Sequence, residues 1–150
     1  MTEIDIEFRT EEKLIRIGGK CGETPENEVF IPIPVKTVCY DYAGSQRDTR
    51  ANMLIVFNLD NVNDIRAMHP YKGFKHCLEL PKNYVLVKMY LSNRGVPYLT
   101  IIIYRNNTLV KYRFEKKIDL GVIKDLLEYK SIPKEIMEKI IEAIREFFVL

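Results

Sequence analysis

The segment from residue 84 to residue 115 constrains the fold more than any other part of the chain, because its turn chemistry and its hydrophobic pattern select the same strand register. Asn106 and Asn107 tolerate the positive φ that a two-residue hairpin turn requires. A turn at these residues brings the apolar residues of both arms onto one face of the sheet. A shift by one residue would instead move Lys111 and Arg113 onto that face. The sequence therefore predicts the register as well as the hairpin.

The strand before this hairpin, residues 84–91, alternates in the same way, so three strands share an apolar face. Their other side, called the mixed face below, combines apolar residues with tyrosines and basic residues. The polar members of the mixed face are predicted to be Tyr84, Lys88, Tyr90, Tyr98, Tyr104, Lys111 and Arg113.

The hydrophobic pattern predicts further strands in the rest of the first half of the chain, with one exception. Residues 3–8 alternate, and residues 35–43 and 51–59 are apolar runs of strand length. Asp60 is a suitable cap for a short helix, which the residue before Pro70 would end. The sequence thus predicts a short central helix between strands.

The C-terminal third shows helical periodicity. Two amphipathic helices are predicted, from about Asp119 to Lys130 and from Pro133 to Phe148. Their apolar stripes need a surface to cover, and the apolar face of the three-stranded meander is the nearest one. We therefore expect a single α+β domain over residues 1–150: a mainly antiparallel sheet of about seven or eight strands, with both helices packed on one face in a two-layer arrangement.

Charge is segregated along the chain although the net charge is only +2. Residues 1–30 carry a net charge of −4, whereas residues 66–117 hold eleven lysines and arginines against two acids, a net charge of +9. Basic side chains neutralise phosphates, and exposed aromatic rings stack on unpaired bases. The hypothesis is a non-catalytic protein that binds single-stranded nucleic acid or RNA. The predicted contact residues are Lys88, Tyr90, Arg94, Tyr98, Tyr104, Arg105, Lys111 and Arg113, with Arg47 and Arg50 at the margin.

Two alternatives stay open. Tyrosine is common in strands whether or not a ligand is bound. The apolar residues of the mixed face could instead be covered by the N-terminal strands or by a second copy of the chain, as in an assembly module or homodimer. A metal-dependent nuclease would draw its carboxylates from Asp41, Asp60, Asp64, Glu79 and Glu115; Glu115-Lys116-Lys117 is similar to the E-x-K element of restriction-type nucleases. The histidines and cysteines lack zinc-site spacing, so no cofactor or metal is expected.

The three cysteines, Cys21, Cys39 and Cys77, do not form the pattern of a disulfide framework. Reduced thiols and a cytoplasmic location are the simpler expectation. No apolar run is long enough for a membrane span, so no membrane partner is expected. A single glutamine with abundant lysine and glutamate suggests a heat-loving microbe, archaeal or otherwise, or a virus of one.

Overall fold

A computed structural model describes residues 6–9, 14–15, 28–30, 36–41, 51–69, 75–92 and 94–150. These residues form an α+β fold with ten strands, all paired antiparallel, and two helices. The strands are β1 (Ile6–Arg9), β2 (Leu14–Ile15), β3 (Glu28–Phe30), β4 (Thr37–Asp41), β5 (Ala51–Asn58), β6 (Ile65–Met68), β7 (Lys75–Glu79), β8 (Tyr84–Leu91), β9 (Pro97–Arg105) and β10 (Thr108–Glu115). The helices are α1 (Leu120–Tyr129) and α2 (Lys134–Phe148). The predicted α+β class, the mainly antiparallel pairing and the two C-terminal helices are confirmed.

The strands form two sheets, where the sequence had predicted one sheet of seven or eight strands. The larger has six strands in the order β3-β10-β9-β8-β5-β6, and the smaller has four in the order β2-β1-β4-β7. None of the described helices is long and apolar enough to cross a membrane.

The β9–β10 hairpin has the predicted register. Asn106 and Asn107 have φ values of 54° and 63°, and Ile103 lies opposite Val110. Both turn residues occupy the left-handed region, which asparagine enters at a lower cost than most residues. The turn and the hydrophobic alternation thus act together to fix this part of the sheet.

The main hydrophobic core lies between the apolar face of the six-stranded sheet and the two helices. Val87, Leu99 and Ile101 are fully buried there, together with Ile123 of α1 and Ile140 of α2. The Asp119 side chain caps α1 by accepting hydrogen bonds from two backbone N–H groups of its first turn, at 2.9 and 3.3 Å.

A second core lies on the mixed face, beneath the four-stranded sheet. Val38 of β4 and Leu78 of β7 pack against a cluster that includes Leu86, Ile102 and Leu109. The apolar residues interleaved with the tyrosines therefore bury against a second sheet. The result is three layers (helices, large sheet and small sheet) where two had been expected.

The predicted central helix at Asp60 is wrong, since this segment is a turn that leads into β6. The Asp60 backbone N–H donates to the Asn58 side-chain oxygen at 2.8 Å, and the Asn58 amide donates to Asp64 at 2.9 Å. Short Asn and Asp side chains that bond nearby groups in this way compete with helix formation. Residues 65–68 then pair with β5.

The expectation of reduced cysteines is wrong for two of the three. Cys39 and Cys77 lie directly opposite each other on β4 and β7, and a disulfide joins them. They are 38 residues apart in sequence, and only the pairing of their strands brings them together. Cys21 lies outside the described residues.

Candidate nucleic-acid interface

Three of the predicted contact residues are buried. Lys88, Tyr90 and Tyr104 are 3%, 2% and 4% exposed, respectively. A base can stack only on a ring whose face is open to solvent. Because these three side chains are buried, they cannot contact nucleic acid in this structure. The prediction that they form part of the interface is therefore wrong.

Tyr104 belongs to a stacked aromatic pair inside the second core. Its ring centroid lies 5.4 Å from that of Tyr84, with an interplanar angle of 20°. Burial raises the pKa of both phenols, and more strongly that of Tyr84. The Tyr104 hydroxyl contacts the Asn107 side-chain oxygen at 3.5 Å. These rings therefore stabilise the contact between layers.

Arg105 binds the end of helix α1. Its guanidinium donates one hydrogen bond to the carbonyl oxygen of Ser131 at 3.3 Å and another to that of Lys130. The C-terminal carbonyls of a helix lack partners within the helix, and a cation beside them also compensates the helix dipole. The structure thus gives Arg105 a role in holding α1 against the sheet.

Of the remaining described contact residues, Arg94, Tyr98 and Arg113 lie at the opposite end of the six-stranded sheet from the Asn106-Asn107 turn. There β8 ends, β9 begins and β10 ends. The surface formed at this end is called the basic rim below, and its members are Arg94, Tyr98, Arg113, Lys116 and Lys117. Arg94, Lys116 and Lys117 are exposed, whereas Tyr98 and Arg113 are half-buried.

The strand register brings the basic rim together. The guanidinium of Arg113 lies over the Tyr98 ring, 5.7 Å from its centroid. The backbone N–H of Lys116 donates to the carbonyl oxygen of Pro97 at 3.0 Å, which joins the end of β10 to the start of β9. Arg94 lies in the tight turn between β8 and β9, in which Gly95 has a φ of 79°. Residues from three strand ends therefore lie at the same end of the sheet.

Lys111 lies two residues before Arg113 on β10 and is half-buried. Among the described strands, β3 pairs with β10 only at residues 108–110, so Lys111 and Arg113 lie beyond the end of that pairing. Glu115, opposite Tyr98, is the one acid among the β10 residues next to the rim. Strand β10 thus carries two basic residues and one acidic residue.

Lys116 and Lys117 were missing from the predicted contact set. They follow Glu115 directly, and the only indication of them in the sequence is a pair of basic residues after a predicted strand. What connects them with Arg94, about 22 residues earlier, is the antiparallel meander. Arg47 and Arg50 lie outside the described residues.

The acidic residues considered for metal binding are dispersed or engaged. Asp64 binds Arg66 through two hydrogen bonds of 2.8 and 3.0 Å, and Asp60 accepts one from Asn83 at 3.1 Å. Within the described ranges, no group of three or more His, Cys, Asp or Glu residues is arranged to hold a metal ion.

Comparisons of the chain with protein-family models, with curated proteins and with solved structures find no match.

Proposed function

We propose that the protein is a non-catalytic binding protein for single-stranded nucleic acid, RNA or DNA, and that the basic rim is its contact surface. The observation that supports the proposal is the Arg113–Tyr98 pair, with three exposed cations at the same end of the sheet. This site is smaller than the surface expected from the sequence, because most of the mixed face is buried.

Such a rim offers the two contacts that unpaired nucleic acid requires. Arginine and lysine side chains neutralise phosphates and release condensed counterions, which favours binding at low salt. The Tyr98 ring already packs beside Tyr90, with 5.6 Å between ring centroids, and under the Arg113 guanidinium, so a base would stack on the part of the ring that stays exposed. The arginine then adds a cation–π contribution. Binding of this kind has little sequence preference.

Salt dependence gives a quantitative test. If the four cations of the rim each neutralise one phosphate, the logarithm of the affinity for a single strand should fall with a slope of about −2.8 against the logarithm of salt concentration. Between about 50 and 200 mM salt, this corresponds to a loss of about 50-fold. Fluorescence anisotropy with a labelled single-stranded oligonucleotide measures both quantities.

Two variants of equal charge locate the contact. Arg94→Gln with Lys117→Gln removes two rim cations, and we expect the slope to become shallower by about 1.4. Lys124→Gln with Lys139→Gln removes two exposed lysines from the helices and should leave the slope unchanged. Equal losses in the two variants, or binding that is insensitive to salt, would refute the proposal.

The aromatic contribution is tested separately. Tyr98→Leu keeps an apolar side chain on β9 but removes the ring, so affinity should fall by about 5- to 150-fold, which corresponds to roughly 1–3 kcal/mol for one stacked base. The melting temperature of the variant serves as the control for folding. A fully folded Tyr98→Leu protein with unchanged affinity would exclude stacking at this residue.

The alternative of an assembly module is favoured by a different observation. Phe30 on β3, at one end of the described six-stranded sheet, is 67% exposed. An exposed apolar residue on an edge strand is a common point of strand-to-strand association. Light scattering should then show a dimer that Phe30→Lys converts to a monomer, together with flat oligonucleotide titrations; a monomeric wild-type protein would exclude this alternative.

A further inference from the structure

We propose a second binding site, for a small phosphorylated molecule, in a cavity at the end of the fold opposite the basic rim. The cavity has a volume of about 430 Å³. It lies where the start of β4, the β7–β8 connection and the β9–β10 turn meet. This hairpin-end cavity is lined by Lys36, Leu80, Pro81, Lys82, Asn83, Tyr104, Asn106 and Asn107.

Hydrogen bonds between the turns fix the walls of the hairpin-end cavity. The Asn83 side-chain oxygen accepts from the backbone N–H of Asn106 at 3.3 Å, and its amide donates to Asp60 at 3.1 Å. The Leu80 backbone N–H donates to the carbonyl oxygen of Lys36 at 2.8 Å. Four segments are thus joined before any ligand arrives, which lowers the entropy cost of binding.

The electrostatic character of the lining selects an anion. Among the described residues, the charged members of the lining are Lys36 and Lys82, both exposed, and none of these lining residues carries a carboxylate. Asparagine amides add neutral hydrogen-bond donors. Asp60, a carboxylate outside this lining, accepts a hydrogen bond from the Asn83 amide. A negatively charged ligand group would match this lining of lysines and amide donors.

The size and the apolar part of the lining indicate an organic phosphate. The volume of about 430 Å³ lies in the range of pockets that hold small organic ligands and exceeds what an inorganic ion needs. Leu80 and Pro81 offer apolar contact to the organic part, while lysine ammonium groups are common phosphate ligands. The chemical class is therefore a phosphate monoester of a small organic molecule.

The hairpin-end cavity is separate from the basic rim. Tyr104 lines the cavity and Tyr98 belongs to the rim. They are six positions apart on β9, which is about 20 Å along a strand. This second site does not depend on the proposed nucleic-acid function, and each can fail without the other.

The test is a ¹H–¹⁵N NMR titration of the full chain with ribose 5-phosphate, with ribose and inorganic phosphate as parallel probes. We expect shifts of the Asn83, Asn106 and Asn107 side-chain amides with ribose 5-phosphate only. Lys82→Gln should weaken the affinity by up to about fivefold, as expected for an exposed charge contact of up to ~1 kcal/mol. Lys117→Gln, in the basic rim, is the matched control and should leave it unchanged.

Each contrary result is decisive. No shift at about 10 mM ribose 5-phosphate would overturn the site, since even millimolar affinity would be visible there. Equal binding of inorganic phosphate would show a general anion site and overturn the ligand class. Equal weakening by Lys82→Gln and Lys117→Gln would show that the phosphate does not bind in the hairpin-end cavity.

Discussion

Reduction of the Cys39–Cys77 disulfide tests how the four-stranded sheet is held. The bond joins β4 to β7, and Val38, next to Cys39, is fully buried in the second core. A cross-link stabilises the folded state mainly because it removes conformational freedom from the unfolded chain. For the observed sequence separation of 38 residues, the loop-closure relation gives about 4 kcal/mol at 25 °C.

Urea unfolding followed by far-UV circular dichroism, with and without reductant, measures this contribution. With a denaturant slope of about 2 kcal/mol per molar urea, the midpoint should fall by about 2 M on reduction. Cys21→Ala in every sample removes the third thiol and prevents exchange. The double variant Cys39→Ala with Cys77→Ala is the control, because its midpoint should not respond to reductant.

A difference below about 1 kcal/mol between the oxidised and reduced proteins would refute this reasoning. It would mean that strand pairing and the burial of Val38 hold β4 and β7 without the cross-link. A reductant effect in the double variant would show that the change arises elsewhere.

Two further predictions concern the stability of the fold. The Tyr84 hydroxyl is buried and has no hydrogen-bond partner among the described residues, so Tyr84→Phe should leave the free energy of unfolding unchanged or raise it by about 1 kcal/mol; a loss above about 1 kcal/mol in urea unfolding would contradict this. Hydrogen bonds from Arg66, then Asn58, lower the pKa of Asp64 to about 2. Since this folded-state pKa lies below the unfolded one, the contribution of Asp64 is present above about pH 4 and is lost as the pH falls towards 2. Urea midpoints measured across this range should fall less steeply for Asp64→Asn, and parallel profiles would refute the assignment.

The local pattern predicted the β9–β10 hairpin and the C-terminal helices because short-range chemistry dominates there. Asn106 and Asn107 accept positive φ, and strict alternation leaves one register that buries the apolar side chains. Asp119 is a suitable helix cap in any context, and the following apolar stripe shows the period of a helix. At Asp60 the same rule was misleading, because the side chain of Asn58 engages that segment in a turn.

Which residues of the candidate site are exposed depends on tertiary structure, and the periodicity of the sequence does not contain that information. The alternating pattern assigned Tyr90, Tyr98 and Tyr104 to one face, and the whole of that face was predicted to bind nucleic acid. Whether another layer covers a face depends on strands more than 40 residues away, such as β4, and no local pattern encodes that contact. Tyr98 stays half-exposed while Tyr90 and Tyr104 are buried.

The register of the meander, the amphipathic helices and the concentration of positive charge in residues 66–117 follow from the sequence, because each depends on neighbours along the chain. The folded structure was needed to show which of those charges lie at the same end of the sheet and that Cys39 pairs with Cys77. Burial, disulfide formation and the convergence of strand ends are long-range contacts. They arise from the free energy of packing whole sheets together, and this free energy cannot be read from the separation of two residues in the sequence.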